Sequence, residues 1–431
     1  LNDLINQEKE VDRTSKQYES HLGQAWIEVD LDMLATNVKN VKEYIGSRRM
    51  MAVLKGNGYG LGAIEIAKTA LANGATDIGV ASIAEGIELR NAGIAAPILV
   101  FNPLLKEQIG LLVTYDLTGT VFDMDTAREI SKEASLQSKV AKVHIKIDTG
   151  LGRFGIFPEE AISFVKEIKE LSNLNVEGIY THFARAYQKK QSYTQDQFNK
   201  FMSVLAELAA LGYDFKIKHA ANSAAVVTLS ETYLDMVRVG NLIYGIYPVE
   251  TKEPVIEIRQ IWSLKSKILH TRHVKKGTRV GYGSKYVTPT DRYLASIGVG
   301  WGDGLNLEPS FVTIRWRNLA KLILFKFLTH SWFAQHLEKK AWYTDILARV
   351  HEYSAEIQDI RVPIVGRPSM QNAVVDVTSL SKKPQAGDVV SFDARIVTIS
   401  ARLARLYIKD KQPYKVINLL GEYDLQVKEL G

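Results

Sequence analysis

The residues best suited to do chemistry are few, and they lie along one half of the chain. Lys55 follows the apolar run RMMAVL and opens a glycine-rich turn, KGNGYGLG, ahead of a segment of helical period. A lysine amine partly withdrawn from water at such a place can form a Schiff base with an aldehyde, and a glycine-rich turn before a helix can hold a phosphate. The alternative is a lysine that merely leaves its strand for solvent, and the local pattern leaves both open. A second turn, KIDTGLGRFG, contains G-x-G-x-x-G at Gly150, Gly152 and Gly155. In dinucleotide-binding turns the helix begins inside that motif; here Phe154 and Phe157 surround the last glycine and Pro158 opens the helix too late, which disfavours a dinucleotide. His182 in THFAR, His219 in KHAANSAA and Arg238 in VRVG each sit near a strand end and could converge on one ligand. His270 and His273 in HTRH lack acidic companions, so no metal site is expected, and neither a Walker-type turn nor a G-x-S-x-G elbow occurs.

Such groups need a frame. From Trp26 to about Gly245, β-branched runs (AWIEVDL, RMMAVLK, TDIGVA, PILVFN, LTGTVFD, KVHIKID, VEGIYTHF, FKIKHA, MVRVG) alternate with stretches such as AISFVKEIKEL, where apolar residues recur at three- and four-residue steps. Repeated strand–helix units imply parallel strands with helices outside. About eight of them imply an α/β fold of the (β/α)8 TIM-barrel type, with chemistry at the C-terminal strand ends; an open doubly wound sheet is the alternative. After Pro248 the pattern becomes strand-like runs without long helices, which predicts a mostly β C-terminal domain. The expected division is a polar extension over 1–24, the barrel over 25–250 and the β domain over 251–431, interrupted by a helical insertion at about 308–355.

Composition narrows the function further. The 431 residues are 46% hydrophobic and 24% charged, an ordinary globular balance that excludes global disorder. The absence of cysteine excludes disulfides, zinc-finger sets, iron–sulfur clusters and thiol catalysis. No uninterrupted apolar run is long enough to cross a bilayer and the first two dozen residues are polar, so a soluble cytoplasmic protein is expected. The net charge of +6 is concentrated in 311–340, where Arg315, Arg317, Lys321, Lys326, Lys339 and Lys340 face one acid, Glu338. The rest of the chain is nearly neutral, which removes the case for nucleic acid.

Taken together, the motifs resemble those of the alanine racemases, pyridoxal-phosphate enzymes of fold type III. AWIEVDLDML, AVLKGNGYGLG, KIDTGLGRFG, THFA, ANSAA, VRVGNLIYGIYP, VGYGSKY and VGWGDG occur in family order from Ala25 to Gly304, and the match resumes at VPIVGRPSMQNAVVDVT. The resemblance implies racemisation of a small amino acid, L-alanine to D-alanine for peptidoglycan, in a homodimer with shared active sites. It implies that Lys55 carries pyridoxal 5'-phosphate and acts as the base on one face of the α-carbon. Tyr282 would be the base on the other face, supplied across the dimer interface, with His182 beside it. Arg238 would point at the pyridine nitrogen. Tyr59, Asn222, Ser223, Gly240 and Tyr414 would hold the phosphate. Arg153 would hold the substrate carboxylate or position the cofactor oxygen, Met370 matches a backbone donor to that carboxylate, and Lys146 matches a lysine that many relatives carry as a carbamate orienting that arginine.

The departures matter as well. Trp301 stands where relatives generally have tyrosine at the substrate entry, and Gln371 where aspartate is usual, which opens a second reading as a racemase of another small amino acid such as serine. A non-catalytic pyridoxal-phosphate-binding relative is the third reading; a second base at Tyr282 argues against it. The insertion has no counterpart in the family pattern. Its LAKLILFKFL stretch is apolar nearly all round if helical, and is expected to pack against a partner subunit or the β domain.

Overall fold

The computed structural model describes residues 18–284, 286–305, 354–392 and 400–425. The expected insertion therefore lies, but for its last two residues, outside the described residues, as does most of the polar extension. The described chain forms two compact units, one built on Glu28–Trp262 with Arg405–Lys415, the other on Ser263–Ala404 with Val416–Glu422. Residues 405–415 thus belong with the barrel and not with the β domain predicted to contain them. The reason is visible in their bonds: the buried Lys415 pairs with the buried Glu65 at 2.9 Å, and the Asp410 and Lys411 amides donate to the Asp32 carboxylate.

In the first unit eight parallel strands make one sheet: β1 Arg49–Val53, β2 Asp77–Val80, β3 Ile98–Val100, β4 Thr118–Val121, β5 Ala141–Lys146, β6 Leu174–Tyr180, β7 Ile217–His219 and β8 Met236–Val239. Each pairs with the next in sequence from β1 to β7, and β8 returns to pair with β1, placing Arg238 opposite Met51. The barrel closes between β7 and β8, where the Arg238 amide donates to Ala221 and the Asp235 amide to Lys218. The strands read as continuous apolar runs because both faces are covered, as in Met50, Met51, Ala52, Val143, Ile145, Val237 and Val239, all essentially inaccessible. The predicted first strand is real, as Ala25–Asp30, but it is not one of the eight.

The helices start where the sequence supplies caps. Asp30 caps α1 (Leu31–Ile45), Ser82 and Glu85 form a capping box on α2 (Ile83–Asn91), Asp123 caps α3 (Met124–Leu136), and Asn222 caps α4 (Ser223–Thr228) through the Ala224 and Ala225 amides. Each cap is worth about 1 kcal/mol and fixes where its loop ends, and so which residues stand at the barrel mouth.

The second unit is antiparallel. β9 (Trp262–Val274) pairs with β10 (Arg292–Ile297), and β10 pairs in turn with β11 (Ala373–Asp376); β9 also pairs with β12 (Val389–Phe392). A small core of Val274, Val280, Leu294 and Val365 underlies the turn that carries Tyr282.

Candidate active site

Lys55 stands two residues past the end of β1, at the C-terminal mouth of the barrel, and opens an unusual stretch of backbone. Gly56, Asn57, Gly58, Tyr59 and Gly60 all have positive φ (66°, 53°, 61°, 56° and 89°), a complete left-handed turn. L-residues avoid this by roughly 1–2 kcal/mol each, so Asn57 and Tyr59 are strained while the three glycines are not. Neighbours hold the strain in place. Glu85 accepts from the Gly56 and Asn57 amides, the Asn57 side chain accepts from the Ala63 amide at 2.8 Å, and the Gly60 amide returns to the Gly56 carbonyl. The turn puts Lys55 and Tyr59 on one cavity. Burial and the nearby Arg153 lower the Lys55 amine from its usual range, Glu85 opposing, so its neutral form is more accessible than in a free lysine. Burial drives the Tyr59 hydroxyl up to about 12.

Opposite this turn lies a polar chain buried in the barrel. Arg238 donates to His219 Nδ1 at 2.9 Å, to the Thr181 and Ala220 carbonyls at 2.8 and 3.0 Å, and to His182 Nδ1 at 3.3 Å. A guanidinium only donates, so His219 must accept at Nδ1 and carry its proton on Nε2. That nitrogen is 2.9 Å from His144 Nδ1, which must in turn accept. The arginine thus sets every tautomer in the chain. Burial, then the arginines, keeps all three histidines neutral, with His144 down to about 3 and His219 and His182 well below the usual value. Burial lowers Arg238 to about 10, which leaves it charged at neutral pH. Tyr180 stacks on His219 at 4.7 Å and bonds Thr120 through its hydroxyl.

The G-x-G-x-x-G turn does something other than hold a nucleotide. Its Gly150, Leu151 and Gly152 amides all point at the Asp148 carboxylate at 2.8–3.2 Å. Burial pushes that carboxyl up, and the three amides with Lys146 outweigh it, so it stays below the ordinary range. The turn is thereby shaped around an internal anion and delivers Arg153 to the cavity. Lys146 ends β5 nearly inaccessible, its Nζ 3.6 Å over the Phe154 ring and without a hydrogen-bond partner, and burial followed by Arg153 brings its amine down to about 7.

The cavity has a volume of about 370 Å³. Of the residues singled out in the sequence it brings together Lys55, Tyr59, Lys146, Arg153, His182, Asn222, Ser223, Arg238 and Gly240. The Gly240 amide donates to Ser223 Oγ at 2.9 Å, and a Cβ on Gly240 would stand 2.6 Å from the Tyr59 hydroxyl, so only glycine leaves that space open. Four of these side chains are basic, and no carboxylate lines the cavity among the described residues. Tyr414 is not among the lining residues, contrary to expectation: its ring has the Lys409 and Lys415 amines 5.3 and 5.9 Å from its centre. The sequence reading also missed Phe101, Asn102, Tyr180 and Tyr187 on the wall, and His144 and Glu85 behind it. Phe101, Asn102 and Tyr180 stand at the C-terminal ends of predicted strands, a position that could have flagged them.

Tyr282, Trp301 and Met370 lie in the other unit. Tyr282 is 67% exposed and borders a hollow of about 410 Å³ with Arg367 and Asn372. Trp301 and Met370 are neighbours, because the Gly302 amide donates to the Met370 carbonyl and the Trp301 amide to that of Ser369.

Fold and site together define a class: an α/β barrel with a mostly β second domain and a partly buried lysine just past the first barrel strand. Comparison with known proteins narrows it. Residues 29–248 match the alanine racemase N-terminal domain and 261–319 the C-terminal domain. The chain is 37% identical to an alanine racemase of Methanococcus maripaludis over 85% of this chain and 88% of that one. It is 42% identical to one of Desulforamulus reducens over 65% of this chain and 76% of that one. Among solved structures, the alanine racemase of Clostridium difficile superposes with a TM-score of 0.77 at 28% identity, covering 92% of this chain and 98% of that one. The chain belongs to the alanine racemase family.

Proposed function

We propose that this chain interconverts L-alanine and D-alanine with pyridoxal 5'-phosphate as its cofactor, in a homodimer whose active sites are shared. The observation that carries the reading is electrostatic: Lys55, Lys146, Arg153 and Arg238 line one cavity with no facing carboxylate among the described residues, an environment suited to a ligand bearing a phosphate and a carboxylate. The fit extends to the binding groups. A lowered Lys55 amine suits an aldehyde, and the Gly240 space beside Tyr59, Ser223 and Asn222 suits a phosphate.

The cofactor, when bound, supplies an electron sink that acidifies the substrate α-carbon. The protein's part is to hold and move protons. Lys55 takes or gives the α-proton on one face. Tyr282 of a second copy, exposed here, does so on the other, and a racemase needs both because each must return what its opposite removed. Arg238 would be the partner of the ring nitrogen and would keep its own proton; its guanidinium is held by His219 and three further acceptors. A partner that withholds its proton weakens the sink and favours prompt return of the proton over side reactions. Arg153 is placed to hold the substrate carboxylate, with Met370 of the second copy as a backbone donor. A neutral Lys146 amine is the form that adds carbon dioxide, releasing a proton, and the resulting carbamate anion would pair with Arg153.

Incubation of the purified protein with each L-amino acid in deuterated water tests this reading, with optical rotation and α-deuterium measured together. Alanine is expected to exchange and racemise. Exchange of serine ahead of alanine would favour the second substrate reading, for which Trp301 beside Met370 is the motive, and no exchange with any amino acid would defeat both.

A further inference from the structure

We propose that Arg405 and Tyr407 are positioning residues for the left-handed turn that carries Lys55 and Tyr59, reaching it from about 345 residues further along the chain. This rests on the proposed cofactor. Arg405 Nε donates to the Gly60 carbonyl at 2.7 Å and the fully buried Tyr407 hydroxyl to the Leu61 carbonyl at 2.9 Å. These are consecutive carbonyls at the exit of the turn, directly after Tyr59. The next residue, Gly62 (φ 97°), lies so close that a Cβ there would stand 1.9 Å from the Tyr407 hydroxyl oxygen and 3.2 Å from the ring carbon bearing it. One step further, helix Ala63–Ala72 is tied to the same segment by the buried Glu65–Lys415 pair.

The entry of the turn has its own holder in Glu85, which binds the Gly56 and Asn57 amides. At the exit the amides close back onto the turn, Leu61 to the Gly58 carbonyl and Gly62 to that of Asn57, while the exit carbonyls of Gly60 and Leu61 are held from outside it by Arg405 and Tyr407. A five-residue left-handed stretch with two strained non-glycine residues persists only where its surroundings over-determine it, and segment 405–415 supplies that at the Tyr59 end. The consequence is selective. Loosening the exit displaces Tyr59, and with it the phosphate contact, more than it displaces Lys55, which is fixed to β1 and to the Glu85 end.

The test titrates apoprotein with pyridoxal 5'-phosphate and, separately, with pyridoxal, which lacks the phosphate, reading the visible absorption of captured aldehyde. Losing the hydroxyl that binds the Leu61 carbonyl in Tyr407→Phe is expected to weaken pyridoxal phosphate about 3- to 10-fold and pyridoxal less than about 2-fold, with the melting temperature lowered by only a few degrees. Gly62→Ala supplies the second arm. Its added Cβ collides with the hydroxyl in the wild-type background and meets only the ring in Tyr407→Phe, so the two substitutions should be markedly less than additive, the strain of positive φ cancelling between backgrounds. Equal weakening of both aldehydes by Tyr407→Phe, or additive effects, would overturn the proposal. Wild-type protein that captures neither aldehyde would instead defeat the cofactor reading.

Discussion

The neutral histidine pair behind Arg238 should make the barrel sensitive to mild acid, and the size of the effect can be worked out. His144 and His219 are buried and held below their ordinary value by desolvation first and then by arginine charge. In the unfolded chain each returns to about 6.5. For a group lowered by folding, stability is fully present above the unfolded value and is lost as pH falls from there toward the folded one, because the unfolded chain takes up protons the native state refuses. Between pH 7 and pH 5 His144, held down to about 3, then costs about 2 kcal/mol against a whole-domain stability of about 5–15 kcal/mol, and His219 acts in the same direction. His182, lowered for the same reasons, acts in the same direction. His144→Gln isolates the term: glutamine does not titrate, and its carbonyl can still accept from His219 Nε2. Urea unfolding at pH 7, 6 and 5, monitored by circular dichroism, should show the variant losing about 2 kcal/mol less than wild type over that range. Identical pH dependence in the two proteins would refute the assignment of neutral, singly accepting histidines.

Three further outcomes are expected. Because Arg153 helps lower the Lys55 amine, Arg153→Met should shift the pH profile of aldehyde capture to higher pH, which a stopped-flow absorbance titration would show. If Lys146 is carbamylated, activity lost on degassing at low pH should return with bicarbonate, and Lys146→Met should abolish the dependence and impair binding of the substrate carboxylate, seen as a raised KM. For sites shared between subunits, Lys55→Ala and Tyr282→Phe should each be inactive alone, yet recover activity when mixed and allowed to exchange subunits, since one site of the mixed dimer keeps both groups; no recovery would place both residues in the same chain's site.

Much of the architecture was legible because its causes are local. Parallel strands buried on both faces read as unbroken apolar runs, and the caps Asp30, Ser82, Asp123 and Asn222 mark helix starts in the sequence itself. The strand-end rule placed Lys55, His182 and Arg238, and the family resemblance added Lys146; the structure brings the four to one cavity. What escaped is of longer range. Nothing near Tyr414 signals that residues 405–415 return to the barrel through Glu65, Asp32 and the turn carbonyls. Ala25–Asp30 carries the same β-branched pattern as the barrel strands, and pattern alone does not say which sheet a strand will join. His144 was passed over because a histidine inside a strand reads as core, and its role depends on His219, which lies 75 residues away.

The two glycine-rich turns show why spacing underdetermines chemistry. KGNGYGLG and DTGLGRFG are similar in glycine content, and both come directly after a strand. In the first, the glycines supply backbone freedom: Gly56, Gly58 and Gly60 carry a left-handed turn that no run of L-residues would sustain, and the turn's entry amides are taken by Glu85. In the second, the amides around Gly150 and Gly152 are the functional groups, and they are already spent on Asp148. An acid two residues before the first glycine provides an anion from within the chain, so the turn needs no phosphate to be complete. The distinguishing mark is therefore the residue that precedes the glycines. Asp148→Asn, by weakening the charge those amides close around, should accordingly act on the placement of Arg153 rather than on aldehyde capture at Lys55: a raised KM for substrate with unchanged cofactor affinity is the expected signature, and the reverse split would return the second turn to the role of a phosphate cradle.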